Sequence, residues 1–368
     1  MTKRMAVFSE WADQRAPVVF ILPAILIILV LAIFPLIISL YLSLSRFKFV
    51  KGGFSLKYIG WLNYKKLLFG SQQFHFLGTF GKLDPMEMTL IGVVIVLLLW
   101  WLWRYFRQGT VTIMGTLGRL IFSAGLFSLI WLVLLTINQK GFPGTLVITL
   151  FYVCFGVLIQ FLVGLGLAVL CAQRIAGRNF FRLVFFFPLM VTPVGIAYTF
   201  RMLVDTTKGP LAPIWLHFGW GAIAWVKDPW AARWVIVLGD CWQWIPFMFI
   251  VLLAALENLP RDQVEAAIVD GASRWQIFRD ITWPAIVPVG VTLILIRLIE
   301  AFKIIDLPNV LTNGGPGIAS ESLTLHSFMA WRALDLGGSA AVAYMLLFVA
   351  VLFAMSFVNF AGHRIKTA

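Results

Sequence analysis

The sequence predicts an all-α polytopic membrane protein with about eight transmembrane helices. Two observations carry this. The 368 residues are 61% hydrophobic and only 12% charged, about half the charge that a soluble domain carries. The apolar residues also fall into separate stretches, each approaching the roughly 20 residues needed to cross a hydrocarbon core. The same composition excludes other classes. Thirty Gly and 16 Pro without a short period rule out a collagen-like chain, and 33 Phe with 16 Trp rule out disorder. Cys154, Cys171 and Cys241 lie in apolar stretches at spacings that match no metal site or disulfide framework, and read as small core residues.

The elements follow in order. A polar head, residues 1–16, precedes an apolar stretch at 17–44 that is too long for a signal-peptide core and reads as a retained first helix. Residues 45–87 form a polar, basic loop. Residues 88–137 then form a hairpin of two spans, Met88–Trp103 and Val111–Ile137, joined by a short turn. Trp100, Trp101 and Trp103 beside Arg104 suit an aromatic belt with a snorkelling cation at the interface. Arg119 falls inside this hairpin, where a cation needs a partner or water. Further spans are expected at Thr145–Ala172, Leu183–Val204, Ala232–Leu256, Ala285–Ile304 and Ala340–Phe360, before a tail at 361–368. Eight crossings put both termini on one side. The short loops favour an internal N-terminus, while the basic 45–87 loop argues against it. The net charge of +13 is spread over both faces, so no nucleic acid is expected as a partner.

The loop between spans six and seven, residues 257–284, reads as two short helices. Pro260 suits a first helical turn, and Asp262 with Glu265 has capping-box spacing. Gly271 is placed to end that helix in the left-handed conformation, and Ser273 with Gln276 supplies a second capping box. Ile277, Phe278 and Ile281 form an apolar stripe before Pro284. Ala266 and Ala267 make one face small enough for another backbone to approach, between the charges of Glu265 and Asp270. On these residues alone, an amphipathic pair that merely anchors the loop at the membrane surface fits equally well.

Glu265-Ala266-Ala267, then Asp270-Gly271-Ala272, Gln276, Phe278, Ile281 and Pro284 resemble the EAA coupling loop of ABC importer permeases. Trp242-Gln243-Trp244-Ile245-Pro246-Phe247, Phe185-Phe186-Phe187-Pro188, Thr192-Pro193 and Trp61-Leu62-Asn63-Tyr64 are similar to the carbohydrate-uptake, maltose-type branch, in its larger permease subunit. Leu311-Thr312-Asn313-Gly314-Gly315-Pro316 is similar to that branch's Leu-Thr-x-Gly-Gly-Pro stretch. The resemblance implies a type I ABC importer permease (MetI-like) core over 145–360. It also implies a cytoplasmic EAA loop at 257–284, cytoplasmic termini, and a bacterial inner-membrane location. The hairpin at 88–137 departs from the family pattern and reads either as lipid-facing packing or as a subunit-specific contact.

The chain has no phosphate-cradling Gly-x-x-x-x-Gly-Lys-Ser/Thr motif, so it is expected to bind no cofactor and to be no enzyme. By the resemblance, ATP and Mg2+ belong to a separate ABC ATPase dimer. The other implied partners are a second homologous permease, an extracellular or periplasmic solute-binding protein and a sugar or related polyol or glycoside. Glu265, Ala266, Ala267, Asp270, Gly271 and Gln276 are the expected ATPase-coupling residues. The substrate path is sought where polar groups interrupt the spans: Tyr198 and Arg201, then Asp240, Trp242, Gln243 and Trp244, then Arg297, Glu300 and Lys303. Arg297 with Glu300 also reads as a neutralising pair. Gly314, Gly315 and Pro316 form a turn expected to face the binding protein. An ion-coupled secondary transporter is the competing class, but the inverted repeats it needs are not visible. A membrane enzyme would need clustered chemistry, whereas His75, His217, His326 and His363 lie in four separate loops or tails and read as surface residues.

Overall fold

The structure is a computed structural model that describes residues 20–107, 113–137, 142–173, 177–219 and 228–365. The expected polar head at 1–16 lies outside the described residues. Among those described, seven helices are long and apolar enough to cross a membrane, and a bent pair makes an eighth span. The spans are α1 (Phe20–Ser43), α4 (Pro85–Phe106), α5 (Ile113–Ile137), α6 (Thr145–Ala172), α10 (Pro229–Glu257), α12 (Arg274–Ala301) and α14 (Leu336–Ile365), with α7 (Arg178–Phe186) and α8 (Pro193–Leu203) as the bent pair.

The core is built on α6 and α10, which pack along their length. Gly164 of α6 allows this closeness, since a Cβ there would meet Met248 Cβ at 2.6 Å. Val153, Val157, Phe249 and Leu252 are buried at this seam, and Leu293 of α12 and Val349 of α14 join the same cluster. By contrast, α1 and α4 are exposed along most of their length, as a helix is when its neighbour is lipid.

Three expectations need correction. The fifth span is not one helix, because the chain turns by 100° between Phe180–Met190 and Pro193–Leu203. The cause is local: Pro188 and Pro193 both lack the backbone donor, and Thr192 caps α8 by accepting from Gly195 N at 3.3 Å. The second helix of the 257–284 loop is not separate from span seven either. Residues Arg274–Ala301 run continuously, with a π-type turn over Phe278–Thr282 carrying the chain past Pro284. Two small antiparallel pairs join the helical fold outside the spans: β1 (Ser45–Val50) with β2 (Gly53–Tyr58), and β3 (Gly78–Thr79) with β4 (Phe142–Pro143). Finally, Cys154 is exposed on α6, while Cys171 and Cys241 are buried as expected.

The 45–87 region is a folded platform, with α2 (Leu62–Phe69) and α3 (Gln73–Phe76) beside the hairpin. Asn63 holds it to the end of α1 by donating to Ser43 O at 2.8 Å and Ser45 O at 3.0 Å. In the expected hairpin at 88–137 the described helices are Pro85–Phe106, longer than expected at both ends, and Ile113–Ile137. Asp84 and Glu87 form a complete capping box at the start of α4.

Candidate functional site

Two places carry the chemistry. The first is a polar network inside the bundle. On α10, Asp240, Gln243 and Trp244 are spaced three and four residues apart and share a face, whereas Trp242 is turned about 200° from Asp240. Arg297 and Glu300 stand one turn apart on α12. Asp240 and Arg297 form an ion pair, and Gln160 of α6 bridges it, donating to Asp240 Oδ2 at 2.8 Å and accepting from Arg297 Nε at 2.8 Å. Gln160 is 0% exposed and Arg297 1%. The guanidinium also lies 4.6 Å from the centre of the Trp244 ring. Gly156 makes room: a Cβ there would sit 3.3 Å from Asp240 Oδ2.

A cavity of about 160 Å3 opens over this network, lined by Asp240, Gln243, Trp244, Arg297, Glu300 and the segment Lys303–Leu307, with Pro193 at its margin. Six of the expected path residues, Asp240, Gln243, Trp244, Arg297, Glu300 and Lys303, therefore meet at one place. Tyr198 and Trp242 do not. Tyr198 is 57% exposed, and Trp242 packs its edge on Phe200. Arg201 instead donates to Val310 O at 3.0 Å. The expected Arg297–Glu300 pair is replaced: Arg297 takes Asp240, and Glu300 takes Lys303 at 2.6 Å. Sequence spacing favoured the i,i+3 partner, but the buried cation is satisfied across helices, where a second buried group also needs neutralising. Gln160 was missed. A lone Gln in a 28-residue apolar helix is the signal that marks it.

The second place is the loop that leaves the bundle after α10. Helix α11 (Arg261–Val269) starts at Pro260 without a side-chain cap, so the expected Asp262–Glu265 box is not formed; Asp262 sits in the first turn instead. Its end matches expectation. Gly271 has φ +79°, Ala272 N donates to Ala267 O at 2.9 Å and Gly271 N to Ile268 O at 3.0 Å, which is a Schellman closure. The next helix begins with a complete capping box, Ser273 N to Gln276 Oε1 at 2.8 Å and Gln276 N to Ser273 Oγ at 3.3 Å. Glu265, Ala266, Asp270, Gly271 and Gln276 are exposed and Ala267 half-buried. Ile268 at 59%, Val269 at 86% and Trp275 at 66% present apolar surface beside them. Arg182 of α7 pairs with Glu257 at the end of α10, tying the bent span to the base of the loop.

On the opposite side of the bundle, the segment containing Gly314, Gly315 and Pro316 is a pinned turn. Gly314 has φ +83° and is buried, and Gly315 and Pro316 are half-buried. Ser320 N returns to Gly314 O at 3.1 Å, Tyr152 OH donates to Ser320 O at 2.8 Å and Arg233 Nε to Ala319 O at 2.6 Å. Nearby, the histidine expectation fails for two of the four. His326 lies on α13 (Leu323–Arg332), is 4% exposed and stacks on His75 with centroids 3.9 Å apart. His75 Nε2 is 2.8 Å from Glu321 Oε2, and His326 Nδ1 is 3.2 Å from Thr145 Oγ1. The folded platform brings these distant residues together. Burial, with His75 alongside, pushes the His326 pKa down to about 3. The His363 side chain lies outside the described residues.

Comparison with known proteins gives the family. The trehalose/maltose transport system permease protein MalF of Thermococcus litoralis is 32% identical over 216 residues, covering 59% of this chain and 73% of that protein. The trehalose transport system permease protein SugA of Mycobacterium tuberculosis is 27% identical over 217 residues, covering 59% of this chain and 69% of that one. A chain from a bacterial alginate ABC transporter, solved with an alginate-bound periplasmic protein, shares the fold with a TM-score of 0.55. It is 20% identical, and the match covers 60% of this chain and 77% of that chain. Residues 164–367 match the family described as binding-protein-dependent transport system inner membrane component. The 88–137 hairpin lies outside that match. With its multi-span bundle, exposed helix-turn-helix loop and matched core, the chain belongs to this family of ABC importer permeases.

Proposed function

We propose that the chain forms half of the translocation pathway of an ATP-driven importer for a sugar or a related polyol or glycoside. The observation that carries this is the exposed surface of the loop after α10. Ile268 and Val269 stand in the open at the end of α11 and Trp275 at the start of α12, with a Schellman closure and a capping box fixing the turn between them. Apolar side chains so placed gain by entering a cleft on another protein. The partner is an ABC ATPase dimer that holds ATP and Mg2+, and Glu265, Ala266, Ala267, Asp270, Gly271 and Gln276 are the coupling residues. A second homologous permease completes the pathway. A solute-binding protein meets the side bearing Gly314, Gly315 and Pro316. The termini and the coupling loop then face the cytoplasm.

Coupling is differential binding. ATP favours the closed ATPase dimer, and a helix seated in each cleft biases the membrane helices toward the outward-facing arrangement. α11 transmits this through the continuous α12 to Arg297 and Glu300, and through Arg182–Glu257 to the bent α7–α8 pair. At the cavity, Trp244 offers a face for a sugar ring, while Gln243 and Glu300 offer planar polar groups. The sugar assignment is supported by the relatives' named trehalose and maltose systems. Purification of the tagged chain from its native membrane tests the reading. Co-isolation of an ATPase and a second permease, with sugar uptake after reconstitution, is the expected result. Flux driven by an ion gradient through the chain alone would overturn it.

A further inference from the structure

The 88–137 hairpin meets the core through Leu129 and Leu132 of α5 but leaves a gap elsewhere along the joint. Between α4 and α5 on one side and α6, α12 and α14 on the other lies a cavity of about 660 Å3. Leu97 and Trp101 of α4, Phe122 of α5, Phe161 of α6, Leu298 of α12 and Phe357 of α14 are among its walls. The lining is aliphatic, aromatic or thiol except for Ser356, whose hydroxyl is already donated to Leu352 O. The size falls within the range of about 300–1,000 Å3 typical of ligand pockets. Water does not fill such a space, because an ordered water needs two to four polar partners. Leaving it empty forfeits the dispersion contacts of every lining atom. Hydrocarbon is the occupant that the walls accept.

The charges beside the cavity say what the hydrocarbon is attached to. Arg104 and Arg107 stand at the end of α4, one to two turns beyond the lining residues Trp100 and Trp101. The Arg104 guanidinium lies 5.7 Å from the Trp100 ring centre and that of Arg107 4.2 Å from Trp103. Arg119 of α5 lies 3.5 Å over Tyr105 and 5.3 Å from Trp101. Among the described residues, none of the three forms an ion pair with a carboxylate. A cation–π contact leaves a guanidinium its charge and its N–H donors, which a phosphate can accept. An arginine within a membrane span needs such a counter-charge. Arg119, which the sequence leaves without a partner, acquires one this way.

We propose that the cavity and these arginines bind one anionic phospholipid of the bilayer, an acyl chain lying between hairpin and core and the phosphate resting on Arg104, Arg107 and Arg119. Lipid then completes the joint by which the additional hairpin attaches. The site lies on the side of the bundle where α10 ends and the coupling loop begins, since α4 and α10 run in the same direction through the alternating spans.

The test is native mass spectrometry of the purified full chain in mild detergent after incubation with equimolar dioleoylphosphatidylglycerol and dioleoylphosphatidylcholine. The wild type is expected to retain one phosphatidylglycerol with about tenfold preference, equivalent to about 1.4 kcal/mol. Replacing the three arginines together, Arg104→Gln, Arg107→Gln and Arg119→Gln, is expected to abolish the preference. Cys154→Trp, which fills the cavity, is expected to abolish retention of both lipids. Equal retention of the two lipids by the wild type overturns the proposal, and so does displacement of the lipid by glycerol phosphate, which would assign the arginines to free phosphate. The wild-type competition decides the matter even if a variant fails to fold.

Discussion

Arg297 of α12 and Asp240 of α10 form an ion pair buried inside the bundle beside the cavity, and Gln160 of α6 hydrogen-bonds both partners, so three helices meet at one polar point. A buried pair is weak evidence for stability as a whole, but losing one member strands the other. Asp240→Leu or Arg297→Met alone is expected to cost about 3–5 kcal/mol. The double variant is expected to cost less than the sum, because neither charge is stranded. Thermal unfolding of the four proteins checks this, and strict additivity would show that the two side chains are not coupled.

Trp244 is the half-buried ring at the same cavity, with Arg297 4.6 Å from its centre. If it presents its face to substrate, Trp244→Ala removes a stacking contact of about 1–2 kcal/mol. The expected result is a roughly tenfold rise in the substrate concentration for half-maximal uptake, with the maximal rate changed less. Trp242, packed on Phe200 outside the cavity, is the control: Trp242→Phe is expected to leave uptake nearly unchanged.

Gly271 ends α11 at φ +79°, and its N–H closes on Ile268 O. Proline is fixed near −65° and has no N–H, so Gly271→Pro must rebuild the turn, whereas Gly271→Ala has open space and meets only the strain of the left-handed region, about 1 kcal/mol. In assembled transporter, the proline variant is expected to uncouple ATP hydrolysis from uptake and the alanine variant to keep most coupling. Full coupling in an assembled Gly271→Pro transporter would remove this turn from the mechanism.

His326 is neutral in the folded protein, with its pKa pushed down to about 3 by burial and by His75. His75 and Glu321 are the titratable groups of the cluster it belongs to. An unfolded histidine titrates near 6.5, so below that pH the unfolded chain binds the extra proton and stability falls. The contribution is fully present above about pH 7 and is lost toward pH 3, with a limiting slope of about 1.4 kcal/mol per pH unit. Melting temperatures from pH 7.5 to 5 are expected to fall less steeply in His326→Phe. Identical slopes would assign the acid sensitivity elsewhere.

The membrane spans were legible because each is a long apolar run, and the Gly271 turn and the Ser273–Gln276 box because their signals are local. The bend between α7 and α8 was hidden within an apolar stretch that Pro188 and Pro193 interrupt without making it polar. The platform at 45–87 does carry a local signal, since Phe47 and Phe49 alternate with Arg46 and Lys48 and Phe54, Leu56 and Tyr58 alternate with Ser55 and Lys57, but its basic charge makes the stretch read as a loop. At the site, helical periodicity put Asp240, Gln243 and Trp244 together, but which partner Arg297 would choose depends on how α6, α10 and α12 cross. The His75–His326 stack joins residues 251 positions apart and has no local signal.

The central claim is that α11 seats in an ATPase. Val269 is 86% exposed at the end of that helix, and a benzophenone maleimide attached at Val269→Cys in functional transporter reads its surroundings directly. The account predicts a photo-adduct with the ATPase subunit, whose yield changes when ATP closes the dimer. Normal uptake with adducts to lipid alone would contradict it.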